Sequence, residues 1–104
     1  MTDMQIRARG AAEGSVILAL DGEIDSANVE DVEGQLDALL ASTTGDVRID
    51  CSAIEYIGLD GLDVLVRAHH ELAQRRRRLI LTRTTAQIRS LLAMTALDRM
   101  FSVE

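Results

Sequence analysis

At 104 residues and a formal net charge of −6, the chain is long enough for one domain that buries about two-thirds of its unfolded surface. Its acidic balance argues against a nucleic-acid partner, whose phosphates it would repel. No apolar run approaches the roughly 20 residues of a membrane span, so direct membrane insertion is not expected.

The first residues, Met1 to Met4, lack the basic-then-apolar pattern of a leader, and the cytoplasm is the expected location. Tyr56 and Phe101 are the only aromatic residues, so the core has to come from Leu, Ile, Val, Ala and Met. All eleven basic residues are arginine, and Arg75–Arg78 is their only cluster, placed where a helix C-terminus favours cations. Cys51 is the sole cysteine, which rules out an internal disulfide and reads as a small core residue.

In chain order, Gln5 to Ala8 is a weak edge strand, followed by a turn over Gly10–Gly14. Ser15 to Asp21 is a strand paired with it as a hairpin, and apolar residues on both its faces predict burial on both sides. Gly22 is expected to break that strand, and Asp25 or Ser26 to cap a first helix. Val29, Val32, Leu36, Leu39 and Leu40 form its apolar stripe, and Ser42–Gly45 ends it. Asp46 to Cys51 returns as a strand, and a separate short apolar run carries Tyr56 and Ile57.

Gly58-Leu59-Asp60-Gly61 then opens a second helix with a stripe at Leu62, Leu65, Val66, His69, Leu72 and Ala73. Its glycine-rich start collects free backbone N–H groups and positive dipole, and Asp60 sets a carboxylate there. Adjacent His69 and His70 point about 100° apart on a helix and cannot share a metal as an i, i+4 pair would. Leu79 to Thr82 is the next strand. The T-x-x-Q spacing from Thr84 to Gln87 predicts a capping box and a third helix with Ile88, Leu91 and Leu92 buried, closed near Thr95-Ala96. Leu97, Met100 and Phe101 make a last apolar turn.

The order is α/β: a single domain with a mixed sheet of about four or five strands and helices packed on it. Enzyme chemistry is not expected. A phosphate loop needs a lysine that the chain does not have, and Gly58-x-x-Gly61 is too short for a nucleotide fingerprint. No serine sits on a nucleophile elbow. Asp21, Asp50 and Asp60 could imitate the acidic pocket of a phospho-receiver, but its partner lysine is missing. No cofactor, metal or catalytic residue is expected.

Four segments together carry a family pattern: Gly22-Glu23-Ile24-Asp25, the run VRIDCSAIEYI, GLDGLDVLV, and LLAMTALDRMF. In order and spacing they resemble the STAS domain of bacterial anti-sigma factor antagonists, from residue 4 to residue 103. That family's signature reads roughly [FY]-[IM]-D-S-[ST]-G-L, where this chain has Tyr56-Ile57-Gly58-Leu59-Asp60-Gly61-Leu62. Gly58 stands at the family's aspartate, Leu59 at its first hydroxyl residue, and Asp60 at its phosphorylated serine or threonine. Ala96 replaces the glycine of a T-G-L-D turn.

The resemblance implies a cytoplasmic transcription regulator that docks on an anti-sigma factor, itself a serine kinase of the histidine-kinase-like ATPase fold, and so frees a sigma factor. It implies a docking face of Gly22, Glu23, Asp25 and Ser26 with Gly58, Leu59, Asp60, Gly61, Leu62, Asp63 and Arg67. Asp60 cannot form a phosphoester, so the phosphorylation switch is altered. Three roles stay open for it: a helix N-cap worth about 1 kcal/mol, a built-in mimic of the phosphorylated state, or a charge that the partner wants. An exposed Leu59 suits the last. The alternative of a different class is a regulatory subunit of a membrane lipid-transporter ATPase or of a larger sensory complex. Nucleotide binding has also to be allowed for this fold, although no phosphate loop or lysine supports it.

Overall fold

The computed structural model describes residues 4–104; residues 1–3, on which the expectation about a leader rests, lie outside the described residues. Strand β1 (Gln5–Gly10) turns through a 3-10 segment (Ala12–Gly14) into β2 (Val16–Ile24). Helix α1 (Val29–Ala41), strand β3 (Val47–Ile57), helix α2 (Leu59–Gln74), strand β4 (Leu79–Thr82), helix α3 (Ala86–Met94) and the two-residue strand β5 (Ser102–Val103) follow.

The strands lie side by side in chain order, β1 antiparallel to β2 and every later pair parallel. The expected hairpin and mixed α/β sheet are therefore both present. The crossovers each step one strand in the same direction, and the buried residues of all three helices meet in one core on one face of the sheet. Val16, Leu18 and Leu20 join Val32, Leu36, Leu65, Leu72, Ile88 and Leu92 in the core beneath them. Each such Leu or Ile contributes about 1.5–3 kcal/mol by leaving water. Ile17 and Ala19, on the other face, stay half-buried, so the expected two-sided burial of β2 is wrong. Their neighbours across the sheet are Arg9 and Arg7 on β1 and Arg48 and Asp50 on β3, charged groups that can face water.

Strand β3 is one element of eleven residues, not a strand followed by a separate short run. Between Ala19↔Asp50 and Asp21↔Ala53, and again between Gly22↔Ile54 and Glu23↔Tyr56, β3 carries one residue more than β2. These two β-bulges bend it and change which residues face inward. Val47, Ile49 and Cys51 are buried at a spacing of two, and Ile54 and Ile57 follow at a spacing of three. Gly22 does not stop β2, because the bulged β3 runs beside it as far as Ile24↔Ile57.

Helix α1 begins later than the Asp25/Ser26 cap anticipates. Residues 25–28 form a turn in which the Asp25 carbonyl accepts from the amides of Asn28 (3.2 Å) and Val29 (3.0 Å). At the start of α3 the Thr85 hydroxyl, not Thr84, caps, accepting from the Ile88 amide at 3.3 Å, so the Thr84/Gln87 box does not form. On α2, Val64 and Ala68 are buried and Ala73 is exposed, so the apolar stripe is rotated from the expected one.

Helices α2 and α3 both end in Schellman turns. The amides of Arg76 and Arg77 donate to Ala73 and Leu72, and those of Ala96 and Leu97 donate to Ala93 and Leu92. Arg76 and Ala96 consequently adopt φ of 59° each, a conformation that favours glycine. The arginine cluster is thus a helix end, as expected, with one addition. The buried Arg77 side chain donates to the carbonyls of Gly45 (2.8 Å) and Leu40 (3.0 Å) and to the Thr43 hydroxyl (2.7 Å). It adds to the Ser42 and Thr43 hydroxyls in satisfying the carbonyl end of α1.

Candidate functional site

Because β2 and β3 run parallel, their C-terminal ends lie at the same edge of the sheet, and α1 and α2 both start there. The Gly58 amide donates to the Ile24 carbonyl at 2.9 Å, fastening the entry to α2 onto the end of β2. A β-carbon on Gly61 would lie 2.7 Å from Ile24 Cγ2 and 2.8 Å from Ile57 Cγ1, so only glycine lets the first turn sit this low.

Gly58 is the N-cap residue of α2 and supplies no side chain to cap it. Its backbone is extended, and a β-carbon there would meet its nearest neighbours at an ordinary 3.5 Å or more, so a capping aspartate or serine would fit. Asp60 is the second residue of the helix and not its cap, which corrects the capping role considered for it. Its carboxylate is exposed and takes no hydrogen bond or ion pair among the described residues. The side chains on either side of this turn are unusually apolar for an exposed position: Leu59 is 68% and Tyr56 44% accessible.

Across from this turn, Asp25 Oδ1 accepts from the Ala27 amide at 2.9 Å. Asn28 holds the loop from below: its Oδ1 accepts from the Asp25 amide (3.0 Å), and its Nδ2 donates to the Glu23 carbonyl (2.7 Å). Nothing in the local pattern singles out Asn28, because its partners are backbone groups three and five residues back. Asp25, Ser26, Tyr56, Gly58, Leu59 and Asp60 line one open depression of about 330 Å³.

The remaining residues of the expected docking face are placed differently. Gly61 and Leu62 are turned into the core. Gly22 and Glu23 are half-buried within β2, Glu23 opposite Tyr56. Asp63 and Arg67 are exposed, but Arg67 is held by Glu33 of α1 at 2.8 Å and by Asp63 at 3.3 Å. That bridge spans a separate groove between α1 and α2 floored by Leu36, Val64 and Ala68.

Asp21, Asp50 and Asp60 do not form one acidic pocket. Asp50 lies on the open sheet face, where it accepts from the Ser52 amide (2.9 Å) and hydroxyl (2.7 Å) and pairs with Arg83 (3.4 Å). The Ser52 amide, against the opposing pull of burial and with help from its hydroxyl, Arg83 and Arg9, holds this carboxyl below its ordinary value. Cys51 is 1% exposed, and burial, with the Asp50 charge beside it, pushes its thiol up to about 12. His69 is half-buried edge-on to Phe101, and His70 is exposed. Among the described residues no group of three or more His, Cys, Asp or Glu could hold a metal ion. No helix among the described residues is long and apolar enough to cross a membrane.

The site is an exposed helix start that carries a carboxylate beside apolar side chains. The STAS domain profile matches residues 4–104, and the chain belongs to the STAS domain family. Its fold is that of solved anti-sigma factor antagonists. The one from Mycobacterium paratuberculosis is 23% identical with a TM-score of 0.86, over 97% of this chain and 85% of that one. The Bacillus cell fate determinant SpoIIAA in its phosphorylated form is 16% identical with a TM-score of 0.73, over 96% and 91%. The antisigma-factor antagonist STAS domain from Rhodobacter sphaeroides is 18% identical with a TM-score of 0.64, over 75% and 84%. At these identities the likeness is one of fold. None of the curated protein sequences matches.

Proposed function

We propose that this STAS domain is a regulatory binding protein of the anti-sigma factor antagonist type, which acts by docking and not by catalysis. Its partner is an anti-sigma factor of the kinase type, and its docking face is the edge formed by Asp25, Ser26, Tyr56, Gly58, Leu59 and Asp60. The observation that carries this reading is Asp60, a carboxylate with no partner among the described residues, on the exposed first turn of α2, at the position where the family signature has its phosphorylated serine or threonine. Without a hydroxyl it cannot form the phosphoester that a serine or threonine forms. It carries about one charge where a phosphate would carry about −1.5 to −2.

The test is to incubate the purified chain with kinase-type anti-sigma factors and ATP. The expected result is a complex on size-exclusion chromatography and no phosphoryl mass increment on the chain. A phosphorylated chain overturns the fixed-charge reading. Recovery of a transporter ATPase, with no sigma-system protein, from a pull-down in the native host overturns the choice of partner.

A further inference from the structure

The geometry points to a second interaction surface: the outer edge of β1 receives an extended segment of a partner protein, with acidic and apolar residues in alternation, as a further strand of the sheet. None of the residues of the docking face proposed above belongs to it.

β1 is the outermost strand and pairs with β2 on one side only. The N–H and C=O groups along its other side meet no hydrogen-bond partner among the described residues. All six of its residues except Ile6 are exposed, so a second chain has open access. At about 3.3 Å per residue such an edge is close to 20 Å long, the ordinary length of a paired strand. The opposite edge, β5, has two residues. Main-chain hydrogen bonds to an open edge supply affinity, and alternate side chains supply the choice of partner.

Those side chains are cationic. Arg7 and Arg9 stand on the open face of the sheet, opposite Ala19 and Ile17 of β2, and the strand itself carries no acid. Arg7 donates to Gln5 at 3.4 Å, and neither arginine has a carboxylate partner among the described residues. Asp50 lines the same shallow hollow but is engaged by Ser52 and Arg83, and Arg48 is engaged by Glu104. Cations two residues apart match carboxylates two residues apart on a neighbouring strand, where opposite charges across a pair attract. A second copy of β1 would instead set arginine against arginine, so the same charges keep copies of the chain from pairing here.

On the helix side, Met4 and Ile6 are half-buried at the margin of the core. A partner residue between two acids points to that side of the sheet and extends the apolar margin. The segment that fits therefore reads acidic, apolar, acidic.

The test uses the full chain and a short fluorescein-labelled peptide in which Glu and Val alternate, followed by fluorescence anisotropy. Saturable binding is expected, weakened about fivefold by Arg7→Gln and by Arg9→Gln while thermal unfolding shows both variants folded. Arg75→Gln removes an equal charge from the other arginine cluster and should leave affinity unchanged. Bound peptide should slow hydrogen–deuterium exchange within residues 5–10. The same peptide N-methylated at every residue keeps its charge and should not bind, nor should one with Lys in place of Glu. No binding of the alternating peptide, binding that survives N-methylation, or equal losses for Arg75→Gln and the β1 variants overturns the inference. No anti-sigma factor enters these measurements, so the proposed function stands or falls separately.

Discussion

The Arg77 guanidinium donates to the Leu40 carbonyl across 3.0 Å, joining the loop before β4 to the last turn of α1. The same side chain also reaches Gly45 and Thr43, so one cation serves three oxygens, one buried and two partly so. Losing it would leave those oxygens poorly satisfied, at about 1–3 kcal/mol each when fully buried. Some would recover water, so Arg77→Met is expected to cost about 2–4 kcal/mol in urea unfolding. Arg77→Lys should recover only part, because an ammonium cannot reproduce the planar fork. A loss below 1 kcal/mol for Arg77→Met would contradict this account.

Gly61 presents a conflict between two effects whose sizes decide the outcome. Alanine would be favoured by helix propensity by about 0.8–1 kcal/mol. Its methyl would also press on Ile24 and Ile57 at under 3 Å, and overpacking of that kind costs about 1–3 kcal/mol. Both isoleucines are buried and β-branched, with little freedom to move aside. Gly61→Ala is therefore expected to lower stability by about 1–2 kcal/mol, seen as a drop in Tm. Unchanged or raised Tm would show that the turn can lift away from the sheet.

Ala96 occupies the left-handed position that closes α3, with φ of 59°. Relief of that conformation should make Ala96→Gly stabilising by about 1 kcal/mol, a few degrees in Tm. Three residues earlier, Ala93 is exposed inside the same helix. There the same change should be destabilising by a similar amount. Opposite signs at the two positions are the diagnostic result. Equal signs would deny the Schellman turn.

Asp50 predicts an acid dependence of stability. Its folded-state carboxyl titrates below the ordinary 3.8, held there mainly by the Ser52 amide. A depressed value contributes stability that is complete above the unfolded value and is lost as pH falls through the folded one. The stability advantage of wild type over Asp50→Asn should be constant near neutrality and shrink below about 3.8. Circular dichroism with urea at several pH values measures it. An advantage that persists unchanged to the lowest pH would remove Asp50 from the acid response.

Much of the fold was legible because its elements follow simple periods. Leu79–Thr82 is found where the sequence places it, and the Val32, Leu36, Leu40 stripe identifies α1 from its 3.6-residue spacing. β3 was misread as two pieces for a definite reason. Its buried residues change spacing from two to three at Cys51, and that irregularity comes from pairing with β2, which local pattern does not contain. β5 was missed because two residues, Ser102 and Val103, carry no period at all.

The site was legible in part, by resemblance more than by chemistry. The signature brought attention to Gly58–Leu62, but only packing shows that Gly61 and Leu62 face inward while Leu59 and Asp60 face out. Asn28 and Glu33 were passed over because what matters about them is a partner distant in sequence or on the backbone: Glu23 and Asp25 for one, Arg67 for the other.

The seating of Gly61 on Ile24 and the Gly58–Ile24 hydrogen bond leave the start of α2 no slack in which to travel. Asp60 itself lies outside that packing, exposed on the turn. A change of charge at residue 60 would therefore disturb none of the contacts that seat the helix, and would alter the face of the domain more than its frame.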